Sequence, residues 1–276
     1  MTLILAATLP EGIVLTADSR QSYVNRSGLP RIASDNATKI VAVTQTVVIA
    51  SSGSAFFSDA GRLRSIQSYI REFGESLANA MPNTILELAQ ALEHFWQQNI
   101  ERIVRAQVTQ AVTNEHGNTL VFQPIANGQL PYSYVGADGQ PKASSVNLAQ
   151  VGFMVIGRDA DNTCHAISVS PYFPMGPHST TNGPNLQWIG DSSVVNKLLT
   201  GNDPFIISSA TMTVQDAIDF CIILTRTTEN IQKFSDGTAG SQGGVPSVGG
   251  PIDIIYLPRI GELTWVSEKR LHSEVI

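Results

Sequence analysis

Two pairs of apolar segments near the start of the sequence constrain the fold more than any other feature. Residues 2–8 (TLILAAT) and 12–18 (GIVLTAD) flank a Pro-Glu-Gly stretch whose proline and glycine supply turn dihedral angles, so they predict a β-hairpin. Residues 38–43 (TKIVAV) and 46–52 (TVVIASS) predict a second hairpin. With a polar loop at 22–37 between the pairs, four strands are expected before any helix.

The hydrophobic period then changes from that of strands to that of helices. From Ser54 to Leu77, apolar residues recur every three or four positions, which predicts one amphipathic helix. A second long helix is expected after Pro82, as far as about Gln110. The remaining patterns predict strands at 150–157, 163–170 and 186–190, helices at 192–199 and 214–231, and a closing hairpin at 252–267.

This order of elements predicts an α+β fold in which two antiparallel sheets pack face to face with helices outside each. The sequence shows no repeat and no linker, so a single domain is expected over residues 1–276, with a polar insertion at about 112–150. We expect that insertion to be a hairpin or a long loop, because structureless connections of this length are uncommon.

Composition and charge limit the classes of partner. Apolar residues make up 42% of the chain and charged residues 14%, which excludes a disordered protein and favours a globular one. The formal net charge of −6 gives no positive field, so neither nucleic acid nor a membrane is an expected partner. No apolar run approaches the roughly 20 residues that span a bilayer, and no secretory signal is recognisable. A cytoplasmic protein is therefore expected.

The cysteines and histidines show no ligand pattern. Cys164 and Cys221 each lie within an apolar stretch, which favours buried thiols in a reducing compartment. The five histidines have no metal-ligand spacing, so no metal is predicted. The glycine-rich stretch 237–250 lacks the features of a phosphate-binding loop, and no cofactor is expected.

Thr2 is the residue that best suits nucleophilic chemistry. Removal of Met1, favoured by the small second residue, would leave Thr2 with a free α-amine that can accept its own hydroxyl proton. Lys39 is the candidate cation that keeps the amine neutral, with Asp18 as its partner, and the backbone N–H of Gly53 is the candidate oxyanion donor. Taken singly, these are an ordinary strand residue, an ordinary ion pair and a turn glycine. Their combination favours catalysis.

At these residues the first quarter of the chain resembles the proteasome β-type subunits, which are N-terminal-nucleophile hydrolases. That family has a nucleophilic Thr on its first strand, Asp-x-Arg at the end of the second, a Lys opening the third and a glycine turn after the fourth. Thr2, Asp18 with Arg20, Lys39 and Gly53 match this pattern. The intervals of sixteen residues from Thr2 to Asp18 and fourteen from Lys39 to Gly53 also agree. Later in the chain, only the element order and GGPIDIIYL are similar.

The second half departs from the family pattern. The family has an Asp-x-x-Ser motif before its Gly-Gly pair, whereas no Asp stands at that distance before Gly249, and Asp236 could substitute only if its loop folds back. Another family serine falls within the Gly-Asp-Ser-Ser stretch, where Asp191, Ser192 or Ser193 could take its place. We favour Ser192 for that position.

The resemblance implies a four-layer αββα sandwich and a threonine-type peptidase or amidase that needs no cofactor. In that mechanism the Thr2 hydroxyl attacks a peptide carbonyl, Lys39 lowers the pKa of the α-amine, Asp18 orients Lys39, and Gly53 stabilises the oxyanion.

The resemblance also gives expectations for specificity and assembly. Ser51 and Ala55 would lie at the specificity pocket, with Ala37 and Asp59 at its wall or base, and an acid at depth favours a basic substrate side chain. A polypeptide substrate and a self-compartmentalising homo-oligomeric ring like those of bacterial relatives are implied, and an ATP-dependent unfoldase is an allowed partner. The absent Asp-x-x-Ser motif motivates the alternative of a non-catalytic scaffold or a peptide-binding ring subunit.

Overall fold

The computed structural model describes residues 2–25, 27–77, 81–116, 119–171, 185–200, 208–234 and 245–269. Within these ranges the helices are α1 (Ile66–Leu77), α2 (Ile85–His116), α3 (Ser193–Thr200) and α4 (Val214–Phe234), with a short 3₁₀ helix at Ser209–Thr211. The strands are β1 (Leu3–Leu9), β2 (Gly12–Asp18), β3 (Gln21–Val24), β4 (Pro30–Ser34), β5 (Ile40–Ala42), β6 (Val47–Gly53), β7 (Phe56–Asp59), β8 (Arg62–Ser65), β9 (Leu120–Phe122), β10 (Gln129–Val135), β11 (Pro141–Asn147), β12 (Val151–Arg158), β13 (Cys164–Val169), β14 (Asn185–Gly190), β15 (Ile252–Pro258) and β16 (Thr264–Ser267).

Two larger antiparallel sheets hold most of these strands. The first sheet has the strand order β14-β1-β2-β15-β16, and the second has the order β13-β12-β6-β5. Three smaller antiparallel groups are β11-β10-β9, β3-β4 and β7-β8. The predicted α+β class with antiparallel sheets is therefore confirmed.

The position of β1 explains why the opening segment is apolar throughout. All seven residues of β1 are buried, as expected for a strand that is covered on both faces. Leu3 and Leu5 belong to a hydrophobic cluster with α3 and α4, whereas Ile4 and Ala6 belong to a cluster with β5, β6 and β12 of the second sheet. Alternate side chains of one strand thus contact helices on one side and the other sheet on the opposite side.

A third hydrophobic cluster joins α1 and α2 to the second sheet. Val47 and Ile49 of β6 belong to it, and Trp96 of α2 packs edge-on against Phe153 of β12 with ring centroids 5.7 Å apart. Trp96 also contacts Tyr69 of α1 edge-on, at 5.6 Å. These aromatic contacts fix α1 over the end of β6, which is where the candidate site lies.

Residues 56–65 form a hairpin where the sequence predicts the start of a helix. Ala60 and Gly61 connect β7 to β8 with φ angles of 49° and 77°, and two positive φ angles are typical of the type I′ turn that matches strand twist. α1 begins only at Ile66, where Ser65 Oγ accepts a hydrogen bond from the N–H of Ser68. The predicted helix start at Ser54 is therefore wrong.

Two polar segments contain more regular structure than their composition indicates. The loop at 22–37 includes most of the β3-β4 hairpin. In the insertion at 112–150, α2 continues to His116 and is followed by the three-stranded group β11-β10-β9. The insertion is thus a small sheet, larger than the single hairpin or loop that was expected.

Two further expectations concern membranes and thiols. None of the helices in the described ranges combines the length and the apolar character that a bilayer crossing requires. Cys164 and Cys221 are buried free thiols, as predicted, and burial raises the pKa of Cys221 to about 12.

Candidate active site

A cleft of about 810 Å³ lies beside the start of β1. Its walls come from the end of β6, the segment before β5, the first turns of α1 and residues 245–247. Six of the nine predicted site residues line it: Thr2, Ala37, Lys39, Ser51, Gly53 and Ala55. Asp18, Asp59 and Ser192 do not, although Asp18 is bonded to a residue that does. Most of the residues selected from the sequence are therefore brought to one place.

Thr2 is held at the edge of the cleft by backbone hydrogen bonds on both sides. Its carbonyl accepts a hydrogen bond from the N–H of Asp191 at 2.6 Å, and the next residue, Leu3, donates its N–H to Asp18 Oδ1 at 2.9 Å. Gly190 has a φ of +96°, and a Cβ there would lie 1.8 Å from the Thr2 carbonyl oxygen. Glycine is therefore needed at 190 for β14 to approach Thr2 this closely.

Asp18 is the buried centre of the site. Its Oδ1 accepts hydrogen bonds from the N–H of Leu3 and from Lys39 Nζ, which is 2.8 Å away. Its Oδ2 accepts from the backbone N–H groups of Arg20 and Gly249, at 3.1 and 3.0 Å. The carboxylate thus ties the start of β1, the end of β2, the segment before β5 and the segment before β15 to one another.

Lys39 presents a buried amine to the cleft, with only 5% of the residue exposed. Burial lowers the pKa of Lys39, and the negative charge of Asp18 opposes that change. The nearby ammonium of Lys269 lowers the pKa further; it is paired with Asp253 and donates to Ser19 Oγ at 2.9 Å. A lysine with a lowered pKa is suited to exchanging protons or to influencing a neighbouring amine.

A second carboxylate, Asp191, is held at the opposite wall of the cleft. Its Oδ2 accepts hydrogen bonds from Ser247 Oγ at 2.5 Å and from Gln232 Nε2 at 2.8 Å, while Oδ1 accepts from Ser193 Oγ at 3.1 Å. Gln232 Oε1 in turn accepts from the N–H groups of Ser247 and Val248. Sequence reasoning named Asp191 as one of three residues that could take the place of a family serine, but it missed Gln232, which no local signal marks.

Ser192 faces away from this network. Its Oγ accepts a hydrogen bond from Asn196 Nδ2 at 3.1 Å at the start of α3, and it does not line the cleft, whereas Asp191 and Ser193 on either side of it do. Asp236, the other candidate for the second half of the site, lies outside the described residues. The preference for Ser192 is therefore not supported by this geometry.

Gly53 lines the cleft at the end of β6 with a φ of +96°. A Cβ at this position would lie 2.1 Å from the carbonyl oxygen of Gln150, so only glycine fits between β6 and the segment before β12. Within the described ranges, no group of three His, Cys, Asp or Glu side chains could hold a metal ion. What the site offers chemically is a hydroxyl, an amine, two carboxylates and backbone N–H groups.

Asp59 lies outside the cleft, which corrects the expectation that it forms the base of the pocket. It is buried between β7 and the two helices, where Arg102 donates to both its oxygens at 2.7 and 2.9 Å. Tyr69 Oη donates at 3.0 Å and Arg64 at 3.3 Å. These donors, Arg102 first, hold the pKa of Asp59 well below its usual range. Asp59 is the last residue of β7, in a stretch where the sequence predicted a helix.

We expect Asp59→Asn to lower the free energy of unfolding by about 2 kcal/mol at neutral pH, because the arginine and tyrosine donors lose a buried charged acceptor. Since its folded-state pKa is lowered, this stabilisation is present above about pH 4 and is lost as the pH falls through the folded-state pKa. Urea unfolding at about pH 7 and about pH 3 measures the difference. The exposed Asp219→Asn is the control, and a wild-type advantage over Asp59→Asn that stays constant between the two pH values would contradict the prediction.

Comparison with solved structures shows that the fold of this chain is similar to that of Anbu proteins. Two structures of Anbu from Hyphomicrobium sp. strain MC1 match with TM-scores of 0.52 and 0.53 at 14% and 15% identity, the second being a Gly-1 mutant; each match covers 99% of this chain and 88% of the other. Anbu from Yersinia bercovieri, described as an ancestral beta-subunit, matches with a TM-score of 0.54 at 12% identity, over 97% of this chain and 88% of its own. No protein-family model matches the chain, and no curated protein sequence matches it.

These neighbours correct the family that the sequence suggested. Anbu proteins are related to the proteasome but form a family distinct from its β-type subunits, so the prediction of a proteasome β-type subunit is wrong. At 12–15% identity the likeness establishes a shared fold and carries no information on activity. Function has to be argued from the cleft itself.

Proposed function

We propose that this chain is a threonine-type peptidase or amidase whose nucleophile is the hydroxyl of Thr2 after Met1 has been removed. The observation that carries the proposal is that Thr2 and Lys39 line one cleft, where the buried carboxylate of Asp18 accepts hydrogen bonds from Lys39 and from the N–H of Leu3, the residue after Thr2. Met1 lies outside the described residues, so the free amine of Thr2 is itself part of the proposal.

In the proposed reaction the α-amine of Thr2 accepts the hydroxyl proton as Oγ attacks the substrate carbonyl. The backbone N–H of Gly53 stabilises the tetrahedral oxyanion. The C–N bond then breaks, the amine returns its proton to the leaving nitrogen, and water hydrolyses the resulting ester. Lys39 keeps the α-amine in its neutral form, and Asp18 orients Lys39.

Asp191 is given a supporting role at the opposite wall. Its backbone N–H holds the Thr2 carbonyl, and its side chain is fixed by Ser247 and Gln232. This network takes over the support that the family's Asp-x-x-Ser motif would provide. The absent motif is therefore a weaker argument for a non-catalytic scaffold than the sequence alone suggested.

The proposal extends to the whole chain and its assembly. The three hydrophobic clusters support a single domain with a four-layer αββα arrangement, in which two sheets lie between pairs of helices. We propose that copies of this domain form a homo-oligomeric ring in the cytoplasm that encloses the clefts, takes a polypeptide substrate and has an ATP-dependent unfoldase as its partner.

The decisive experiment is intact mass spectrometry of the purified protein before and after treatment with a peptide epoxyketone, which joins the amine and hydroxyl of an N-terminal Thr in one ring. We expect the mass of the chain without Met1 and then a single adduct, because only Thr2 would carry both groups. Thr2→Ala is the control: its small second residue still permits Met removal, but it cannot form the adduct.

A chain that keeps Met1 and gains no adduct would refute the peptidase proposal, since the nitrogen of Thr2 would then be an amide and no base. The scaffold or peptide-binding alternative would replace it. An adduct that forms equally on Thr2→Ala would show modification of another residue and would also reject Thr2 as the nucleophile.

A further inference from the structure

We propose that the α1 side of the cleft binds an acidic side chain, aspartate or glutamate, of the peptide on which Thr2 acts. This inference rests on the proposed function and names the substrate class of the same site. The region concerned, called here the α1 compartment, is formed by Ser51, Ala55, Gln67 and Arg71, all of which line the cleft.

The alternation of β6 directs Ser51 towards α1. Val47 and Ile49 belong to the hydrophobic cluster of α1 and α2, whereas Val48 and Ala50 belong to the cluster with the first sheet. Ser51 therefore lies on the α1 side. The residue is only 4% exposed, and its Oγ has no hydrogen-bond partner among the described residues. A buried hydroxyl that lines a cleft and has no partner in the described protein is available to bond to a group bound there.

The facing wall is the start of α1. Gln67 and Arg71 are four residues apart and so lie on one face of the helix. Gln67 Nε2 donates to the carbonyl oxygen of Thr38 at 2.5 Å, which ties this face to the segment that carries Lys39. Small side chains at Ala55 and Ser51 leave the space between helix and strand open.

Arg71 gives the compartment a positive charge that a bound carboxylate could neutralise. Four charged residues line the cleft, and three of them are already engaged: Arg20 and Lys39 each bond to a carboxylate, and Asp191 accepts three side-chain hydrogen bonds. The guanidinium of Arg71 is exposed and forms no hydrogen bond or ion pair with any residue in the described ranges. Arg71 is the one charged residue among the four that form the α1 compartment, which is thus cationic.

This combination selects a carboxylate. A guanidinium binds a carboxylate through parallel charge-assisted hydrogen bonds, and the Ser51 hydroxyl adds one more donor. A basic side chain would instead be repelled by the like charge of Arg71. Asp59 would not offset this repulsion, because both of its carboxylate oxygens already accept hydrogen bonds from Arg102. The expected preference is therefore opposite to the basic one that Asp59 suggested from the sequence.

Binding can be measured without turnover by using the Thr2→Ala protein. Fluorescein-labelled peptides that differ only in one residue, Glu, Gln or Arg, are titrated and followed by fluorescence anisotropy. We expect the Glu peptide to bind about tenfold more tightly than the Arg peptide, in line with a charge-assisted contact. Adding Arg71→Glu should reverse this order, and Arg71→Gln should bring the three peptides to similar affinities. Arg62→Glu is the matched control, because Arg62 is exposed on β8 outside the cleft and should keep the wild-type order.

Equal affinity for the Glu and Arg peptides, no measurable binding of the Glu peptide, or an order that Arg71→Glu leaves unchanged would each overturn the inference. Ser51→Ala gives a second measurement at an independent atom, and a loss of affinity for the Glu peptide only is the expected result. The epoxyketone experiment keeps the two proposals apart. An adduct on Thr2 without charge discrimination would reject the acidic site alone, whereas charge discrimination without an adduct would reject the peptidase proposal alone.

Discussion

Replacing Lys39 by methionine is expected to slow the modification of Thr2 by a peptide epoxyketone by roughly 100- to 10,000-fold, the range typical for loss of a group that assists proton transfer. Methionine has a similar length but carries no charge, so nothing would keep the α-amine of Thr2 neutral at pH 7. Adduct formation followed over time by intact mass gives the rate. The exposed Lys197→Met on α3 is the control and should react at the wild-type rate.

The same substitution leaves the buried carboxylate of Asp18 without its cation, and a loss of stability could slow the reaction by itself. The double variant Asp18→Asn with Lys39→Met separates the two effects. Because neither partner is charged, much of the stability should return, whereas the rate should not. Either protein reacting as fast as the wild type would show that Lys39 has no part in activating Thr2.

The part of the site that could be predicted from the sequence is the part built by short-range pairing. A tight turn after β1 pairs Ile4 with Ala17, so the chain places Asp18 beside Leu3 and next to Thr2. In the second hairpin, Lys39 and Ser51 are likewise neighbours, since the Ser51 N–H donates to the Lys39 carbonyl. Both hairpins could be predicted because hydrophobic alternation and turn residues can be recognised within a short stretch of sequence.

The network around Asp191 could not be predicted, because its members are brought together only by the folded chain. Gln232 is 41 residues from Asp191 and Ser247 is 56 residues away, and each belongs to a different segment. Asp191 was one of three options within its own stretch, and nothing in the sequence distinguished it from Ser192. Which residue of this stretch lies beside Thr2 depends on how β14 pairs with β1, where Gly190 closely approaches Thr2.

Asp59 shows a different kind of failure. The apolar residues after Ser54 fit a helical period, and the family resemblance placed Asp59 at the wall or base of the pocket. Ala60 and Gly61 instead adopt positive φ angles and form a hairpin turn. Glycine is a common turn residue, but alanine at the preceding position gives no sequence signal for a positive φ angle. The same hairpin delays α1 and so brings Arg71, twelve positions after Asp59, to the cleft wall.

Asp18→Asn is expected to lower the free energy of unfolding by about 3–5 kcal/mol, the cost of breaking a buried ion pair by removing one partner. The carboxylate is fully buried and accepts four hydrogen bonds, whereas an amide has one acceptor oxygen and presents N–H groups to the remaining donors. The four donors belong to β1, to the residues that follow β2, to the segment before β5 and to the segment before β15. Urea unfolding at neutral pH measures the loss.

The pH dependence of this loss identifies its cause. Burial already lowers the pKa of Lys39, and Asp18 opposes that change, so Asp18→Asn should lower this pKa further. At pH values between the lowered pKa of Lys39 in the folded protein and its ordinary value near 10.4, Lys39 binds more protons in the unfolded chain than in the folded one. The stability of the variant should therefore rise with pH over this range. The gap between the two proteins should therefore narrow from about pH 7 to about pH 9. The exposed Asp138→Asn is the control and should leave stability close to that of the wild type at either pH. A loss for Asp18→Asn no larger than that of this control would mean that the carboxylate does not hold the site together.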